Sequence, residues 1–287
     1  MLLGKVGWTL WALLPVAGLA YHFGPGQRAY TEDRAADIIE QARRLDAAAQ
    51  VAQDAAYQLH LMSLGLRRAA LASKAPEDEA AARAAAIKED EAYRVAGEAW
   101  KTTADKLQQA QDMLASCDSE KTPTIRVAKD RALVRAGRIG EGVGDLETLL
   151  ESLAEAGQQE SPLAAKAREE VATGYYYGAR LMRAAGKPTP EWRAISGSAR
   201  QNFRYLAETG ASVNSNTADL QKNLELVLNL EQSAQEELMA KPLPKNSPRA
   251  GAEGLGKMPR AGKSKRPPRK GQDARGASGV GDIESGW

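Results

Sequence analysis

The sequence predicts an all-α protein: an N-terminal membrane helix, a long alanine-rich antiparallel helical hairpin, stacked helical pairs, and a disordered basic tail. Three observations predict it. Two runs of about 40 residues place small and apolar side chains at alternating steps of four and three, the 3.5-residue period of a coiled-coil seam. Glycines and Ser-Pro or Thr-Pro pairs then divide the following residues into helix-length pieces. An 18-residue stretch free of formal charge, Val6 to Phe23, opens the chain. These features set the boundaries at 1–28, 29–118, 119–240 and 241–287.

Eighteen helical residues rise about 27 Å, roughly the hydrocarbon thickness of a bilayer. Trp8, Trp11 and Tyr21 stand near the ends of the stretch, where amphipathic rings prefer to lie. It reads either as an uncleaved signal anchor or as a signal peptide cleaved near Ala20, with Lys5 as the charged region and Gly18, Leu19 and Ala20 as the cleavage site. The first reading gives a single-pass membrane protein with an extracytoplasmic body, the second a secreted one.

From Glu32 to Ser73 the seam follows Ile38, Ala42, Leu45, Ala49, Ala52, Ala56, Leu59, Ser63, Leu66 and Ala70. Pro76 opens a second helix, lasting to about Cys117, whose seam is Ala82, Ala86, Glu89, Tyr93, Ala96, Trp100, Thr103, Leu107, Ala110, Leu114 and Cys117. Folding the two about Lys74 and Ala75 pairs residues whose numbers sum to about 149. Trp100 then meets Ala49, Tyr93 meets Ala56 and Leu107 meets Ala42, so large faces small along the contact. The same seam used between molecules would give a homo-oligomer.

Five shorter helices follow. Thr122 with Pro123 opens the first and Gly137 closes it; the second, from Glu141, ends at Gly157; Ser161 with Pro162 opens the third, which Gly186 ends. Thr189 with Pro190 starts the fourth, ending at Gly210, and Ser215 or Asn216 caps a fifth that reaches about Met239. Beyond Lys241 the composition of Pro, Gly, Lys and Arg cannot bury a core, so residues 241–287 are expected to be disordered and to contribute nothing to stability.

Residues 128–157 carry Leu133, a turn at 136–139, and Gly142, Leu146 and Leu149 at small and large packing positions. In 165–208, Ala199, Phe203 and Leu206 repeat the mutual spacing of the last three. This pattern resembles the tetratricopeptide repeat, and the resemblance implies an α-solenoid of stacked helical hairpins used as a protein-binding scaffold. The first pair lacks the aromatic and proline residues expected of the family, and the second has a longer turn.

Composition narrows the functional classes. The 287 residues hold 39 basic and 37 acidic side chains, but 11 of the basic and only 4 of the acidic ones lie in 241–287, so an acidic body carries a basic tail. One cysteine, Cys117, excludes an intramolecular disulfide. His22 and His60 are the only histidines, and the hairpin register holds Cys117 about 42 Å from His60, too far for a nucleophile and its base. No CxxC, HExxH, GxxxxGK[ST] or GxSxG pattern occurs. The expectation is therefore a non-enzymatic protein without cofactor or metal.

Two places are candidates for binding. Tyr175, Tyr176, Tyr177, Trp192 and Tyr205 concentrate aromatics in a chain with 5% of them, and three consecutive tyrosines point in three directions on a helix, so not all are expected in the core. They form the candidate surface for a protein partner. Lys257 to Arg275 holds eight basic residues, among them Lys263, Lys265, Arg266, Arg269 and Lys270, without interleaved aromatics to stack bases. That run is the candidate site for anionic lipid or envelope polymer. The leading expectation is a membrane-anchored scaffold for protein–protein interaction at the cell envelope; the alternative is a secreted helical protein whose basic tail is the functional element.

Overall fold

The computed structural model describes residues 2–23, 25–115, 120–209 and 217–249, and their regular structure is entirely helical. The elements are α1 (Leu2–Phe23), α2 (Pro25–Ser73), α3 (Pro76–Ala115), α4 (Thr122–Arg135), α5 (Ile139–Glu155), α6 (Pro162–Ala184), α7 (Thr189–Thr209), α8 (Thr217–Gln232) and α9 (Gln235–Ala240). Cys117, Gly210, Ser215 and Asn216 lie outside the described residues, as does everything from 250 onward, including Lys263, Lys265, Arg266, Arg269 and Lys270.

α2 and α3 form the antiparallel hairpin. The buried line on α2 is a strict heptad: Ala35, Ala42, Ala49, Ala56, Ser63 and Ala70. Against it α3 buries Ala82, Glu89, Tyr93, Ala96, Trp100, Thr103, Leu107, Ala110 and Leu114, as its sequence period requires. The register agrees with the expected one. Ala49 packs with Trp100, Ala56 with Tyr93, and Ala42 with Leu107, and the hydrogen-bonded pair His60 and Glu89 has numbers that sum to 149. The expected stripe is rotated slightly. Leu45, Leu59 and Leu66 are only half-buried, while Gln53 and His60 are buried. The reason is that α4 and the C-terminal segment cover that flank of α2, which a two-helix pattern does not anticipate.

The turn needs one left-handed residue, and Lys74 supplies it at φ 56°. Ser73 accepts from the Ala75 amide at 3.2 Å and donates to Asp78 at 2.5 Å. Glu77, Asp78 and Glu79 put negative charge on the first turn of α3, where the exposed amides favour it.

The shorter helices stack in order, α4 on α3, α5 on α4, α6 on α5, α7 on α6 and α8 on α7. α4, α5 and α6 end alike: Gly137, Gly157 and Gly186 adopt positive φ while the following amides reach back to Leu133, Leu153 and Met182. Ser161 caps α6 through Ala164 at 3.2 Å. Thr122 does not cap α4, because the helix already includes it and Lys121 takes the cap position. The expected last helix breaks at Ser233 and Ala234 into α8 and α9. Two glycines fix the spacing of the stack. A Cβ on Gly142 would lie 2.6 Å from the Asp130 carbonyl on α4, and one on Gly174 would lie 2.5 Å from Val143 on α5.

Two expectations are corrected. Residues 241–249 are not a loose beginning of the tail but a strap laid across the hairpin, with Ser247 fully buried and Leu243 packed against the Ala56 and Tyr93 cluster. Composition concealed it because a strap this short needs no core of its own. The N-terminal helix exists, but among the described residues no helix is long and apolar enough to cross a membrane. The membrane-spanning reading of the first 28 residues is thus not carried by the structure.

Candidate functional site

The strap and the helices beneath it form the most elaborate polar arrangement of the molecule. From Ala240 the chain runs antiparallel to α2, passing in turn Arg68, His60 and Gln53. Helix side chains grip its backbone. Arg180 of α6 donates to the Lys241 carbonyl at 3.1 Å and the Pro242 carbonyl at 2.8 Å. Gln53 donates to the carbonyls of Lys245 at 3.2 Å and Ser247 at 3.0 Å. The Leu243 amide donates to His60 Nε2 at 3.0 Å. An amide can only donate, so Nε2 accepts, and the ring proton sits on Nδ1, donated to Glu89 Oε1 at 2.6 Å. The strap therefore fixes the tautomer of His60.

Glu89 is fully buried and joins three elements. Beside His60 it meets Arg67 of α2 at 3.2 Å and Arg249 of the strap, which also reaches Asp90 at 3.0 Å. Burial pushes the Glu89 carboxyl up, but the His60 hydrogen bond and the Arg249 guanidinium outweigh it and hold the group at about 2. Lys245 pairs with Asp54 at 3.1 Å, so that two cations of the strap, Lys245 and Arg249, meet carboxylates of the hairpin.

Behind Pro244 and Asn246 lies a cavity of about 260 Å³, lined also by Arg135, Glu170, Tyr176, Tyr177 and Phe203. A wider groove of about 850 Å³ opens between α3 and the turn after α4, bounded by Tyr93, Arg94, Lys101, Arg138 and Arg249. Its bases are largely neutralised nearby: Arg94 by Glu91, Arg138 by Glu141, and Arg249 by Glu89 and Asp90.

The aromatic candidates turn inward. Tyr175, Tyr176 and Tyr177 are 1%, 5% and 7% exposed, so all three are core, against expectation. The directional argument fails because α6 is enclosed on every side, by α5, α7, α4 and α9. Tyr175 donates to Glu147 at 2.5 Å. Tyr176 and Tyr177 reach the cavity behind the strap. Trp192 is buried beneath Arg183, whose guanidinium lies 4.8 Å from the ring and also donates to the carbonyls of Leu230 and Ser233 at the end of α8. Tyr205 is half-buried under Arg168 at 4.3 Å.

His60, Gln53 and the strap were missed in the sequence, although one signal was available. A register summing to 149 places Glu89, a charge on an apolar seam, opposite His60, and such a carboxylate calls for buried partners. Among the described residues, no three His, Cys, Asp or Glu side chains are grouped to hold a metal ion. No protein-family model matches the chain, and neither a curated protein nor a solved structure shows significant similarity to it. The stacked helical pairs are compatible with a helical repeat, and the tetratricopeptide resemblance finds no family match beside it.

Proposed function

We propose that this protein is a non-enzymatic helical scaffold that binds other proteins at a membrane of the cell envelope, with α1 as its attachment and the hairpin and helical stack as its binding body. The observation that carries the reading is the apolar surface of α1. Trp11, Leu13, Leu14, Val16, Leu19 and Tyr21, six large apolar side chains on one helix, are each more than half exposed. Contiguous apolar surface of this kind is stable in water only when lipid or protein covers it. Membership of the tetratricopeptide class would fit the binding role, since stacked hairpins offer concave surfaces.

Flotation of the full chain with vesicles tests the attachment. The chain should rise with the lipid, and Leu13→Asn, Leu14→Asn and Val16→Asn together should leave it at the bottom of the gradient. Equal flotation of both, or none by either, would overturn the attachment. Site-directed cross-linking from exposed positions of α7, such as Arg204, in the intact envelope tests the binding role; cross-links to no other protein would overturn it.

A further inference from the structure

We propose that the channel between α2 and α6 is a receptor for a peptide carrying prolines and two cations, and that residues 241–249 occupy it in cis. This deepens the protein-binding reading above and rests on it.

The way the strap is held points there. Helix side chains make six hydrogen bonds to the main chain of the strap and of Ala240 just before it: Arg68 donates to the Ala240 carbonyl, Arg180 to those of Lys241 and Pro242, and Gln53 to those of Lys245 and Ser247, while His60 accepts from the Leu243 amide. Contacts of that kind read the path of a backbone rather than a particular sequence, which is how grooves accept peptides of one shape from different chains. The prolines fit the same logic. Pro242, Pro244 and Pro248 have no amide to satisfy, and their fixed φ restricts the free segment, while the Ser247 amide closes a turn on the Pro244 carbonyl at 2.9 Å.

Side chains add the chemical selection. Leu243 is the apolar anchor, set against the cluster of Ala56, Tyr93 and Ala96. Lys245 meets Asp54, and Arg249 meets Asp90 and Glu89. A ligand for this channel therefore offers one aliphatic residue, a cation two positions later and a second cation four positions beyond that, on a proline-bearing chain. The hairpin does not need the strap for its own register, because Ala49, Ala56, Tyr93 and Trp100 set that between themselves. The strap is thus an occupant that a partner segment of the same chemistry displaces, and the channel is closed until one does.

The test uses the full chain. A fluorescent peptide of residues 240–250, AKPLPKNSPRA, is titrated into the unaltered chain and into the full chain carrying Leu243→Asp and Arg249→Glu, which remove the strap's anchors. The altered chain should bind one peptide at least ten-fold more tightly than the unaltered one. Adding Asp54→Lys should cost ten-fold, and a peptide with Glu at both cationic positions should not bind. If the altered chain keeps its helical circular dichroism and binds no more tightly than the unaltered chain, the proposal is wrong. Should the altered chain lose helix, hydrogen exchange of the unaltered chain decides. Excess peptide should speed exchange of the strap amides 243, 245 and 247 while leaving α6 unchanged, and no acceleration would overturn the proposal. Peptide binding is read on purified protein, so a failure here leaves the flotation and cross-linking results standing, and a failure there leaves the channel standing.

Discussion

The hairpin and the helical stack bring helices together by opposite means. In the hairpin, alanines every seven residues on α2 let large side chains on α3, such as Trp100 and Leu107, fill the contact. In the stack, Gly142 lets α5 approach the backbone of α4, Gly174 makes room for Val143, and α6 is wrapped on all sides by neighbours. Their buried charges differ in the same sense. Glu89 in the hairpin is compensated by His60, Arg67 and Arg249. Asp130 on α4 has the adjacent Lys129 at 3.1 Å, and burial dominates, pushing its carboxyl up to about 7. A contact read by one helix facing one other is legible from its period; a helix enclosed by four is not.

The hairpin depends most on the socket that holds Trp100. Trp100 is completely buried between Ala49 and Leu133, with Arg135 stacked 4.8 Å from its ring. Trp100→Ala should cost about 3–5 kcal/mol, the range for deleting a buried large aromatic. Thermal or urea unfolding measures it, and a loss below about 1 kcal/mol would mean that the seam is not what holds the two long helices together.

Titration should sharpen the contrast between the two buried carboxylates. The folded Asp130 group lies above its ordinary value of 3.8, so the folded state binds the proton more tightly. Its contribution is favourable at low pH and is lost as pH rises from about 4 through 7. Glu89, held at about 2, has the reverse sign: its contribution is present above pH 4.5 and is lost as pH falls toward 2. Asp130→Asn should therefore stabilise the protein at pH 8 by on the order of 2–4 kcal/mol and leave stability near pH 4 little changed. Unfolding midpoints at both pH values check it; an equal effect at the two would remove Asp130 as the titrating group.

Two glycines test the packing difference directly. In the hairpin, a Cβ on Gly65 meets nothing within 4 Å, so Gly65→Ala should stabilise α2 by about 0.5–1 kcal/mol through helix propensity alone. In the stack, the same change at Gly142 drives a methyl into the Asp130 carbonyl and should cost about 1–3 kcal/mol, the penalty for overpacking. Opposite signs support the contrast. The same sign at both positions, in denaturant melts, would abolish it.

What could be read in advance follows the same division. The hairpin's partners, its turn at Lys74 and the burial of Trp100 were all legible, because two helices in contact leave a 3.5-residue trace and the turn is marked by Pro76. The ends of α4, α5 and α6 were legible through Gly137, Gly157 and Gly186. The site was not. Tyr175, Tyr176 and Tyr177 looked too many for one core because the sequence does not say how many neighbours α6 has. Residues 241–249 looked featureless because their anchors, Arg180, Gln53 and His60, lie 60 to 190 residues away in the chain, roughly, and main-chain contacts leave no mark in the sequence of the segment they hold.

The smallest expected effect concerns the turn that joins the hairpin's two helices. Lys74 stands at φ 56°, a conformation in which an L side chain crowds its own carbonyl, and it is the only non-glycine residue with positive φ among those described. α4, α5 and α6 all end on glycine at the corresponding point, so the hairpin alone ends a long helix on a strained residue. Lys74→Gly should relieve that strain and stabilise the protein by about 0.5–1 kcal/mol, less the extra chain entropy glycine brings to the unfolded state. Lys74→Ala, which keeps the Cβ and removes only the charge, should leave the unfolding midpoint nearly unmoved. If the alanine variant gained as much as the glycine variant, the relief would come from the lysine's charge near the end of α2, and the turn would owe nothing to its backbone conformation.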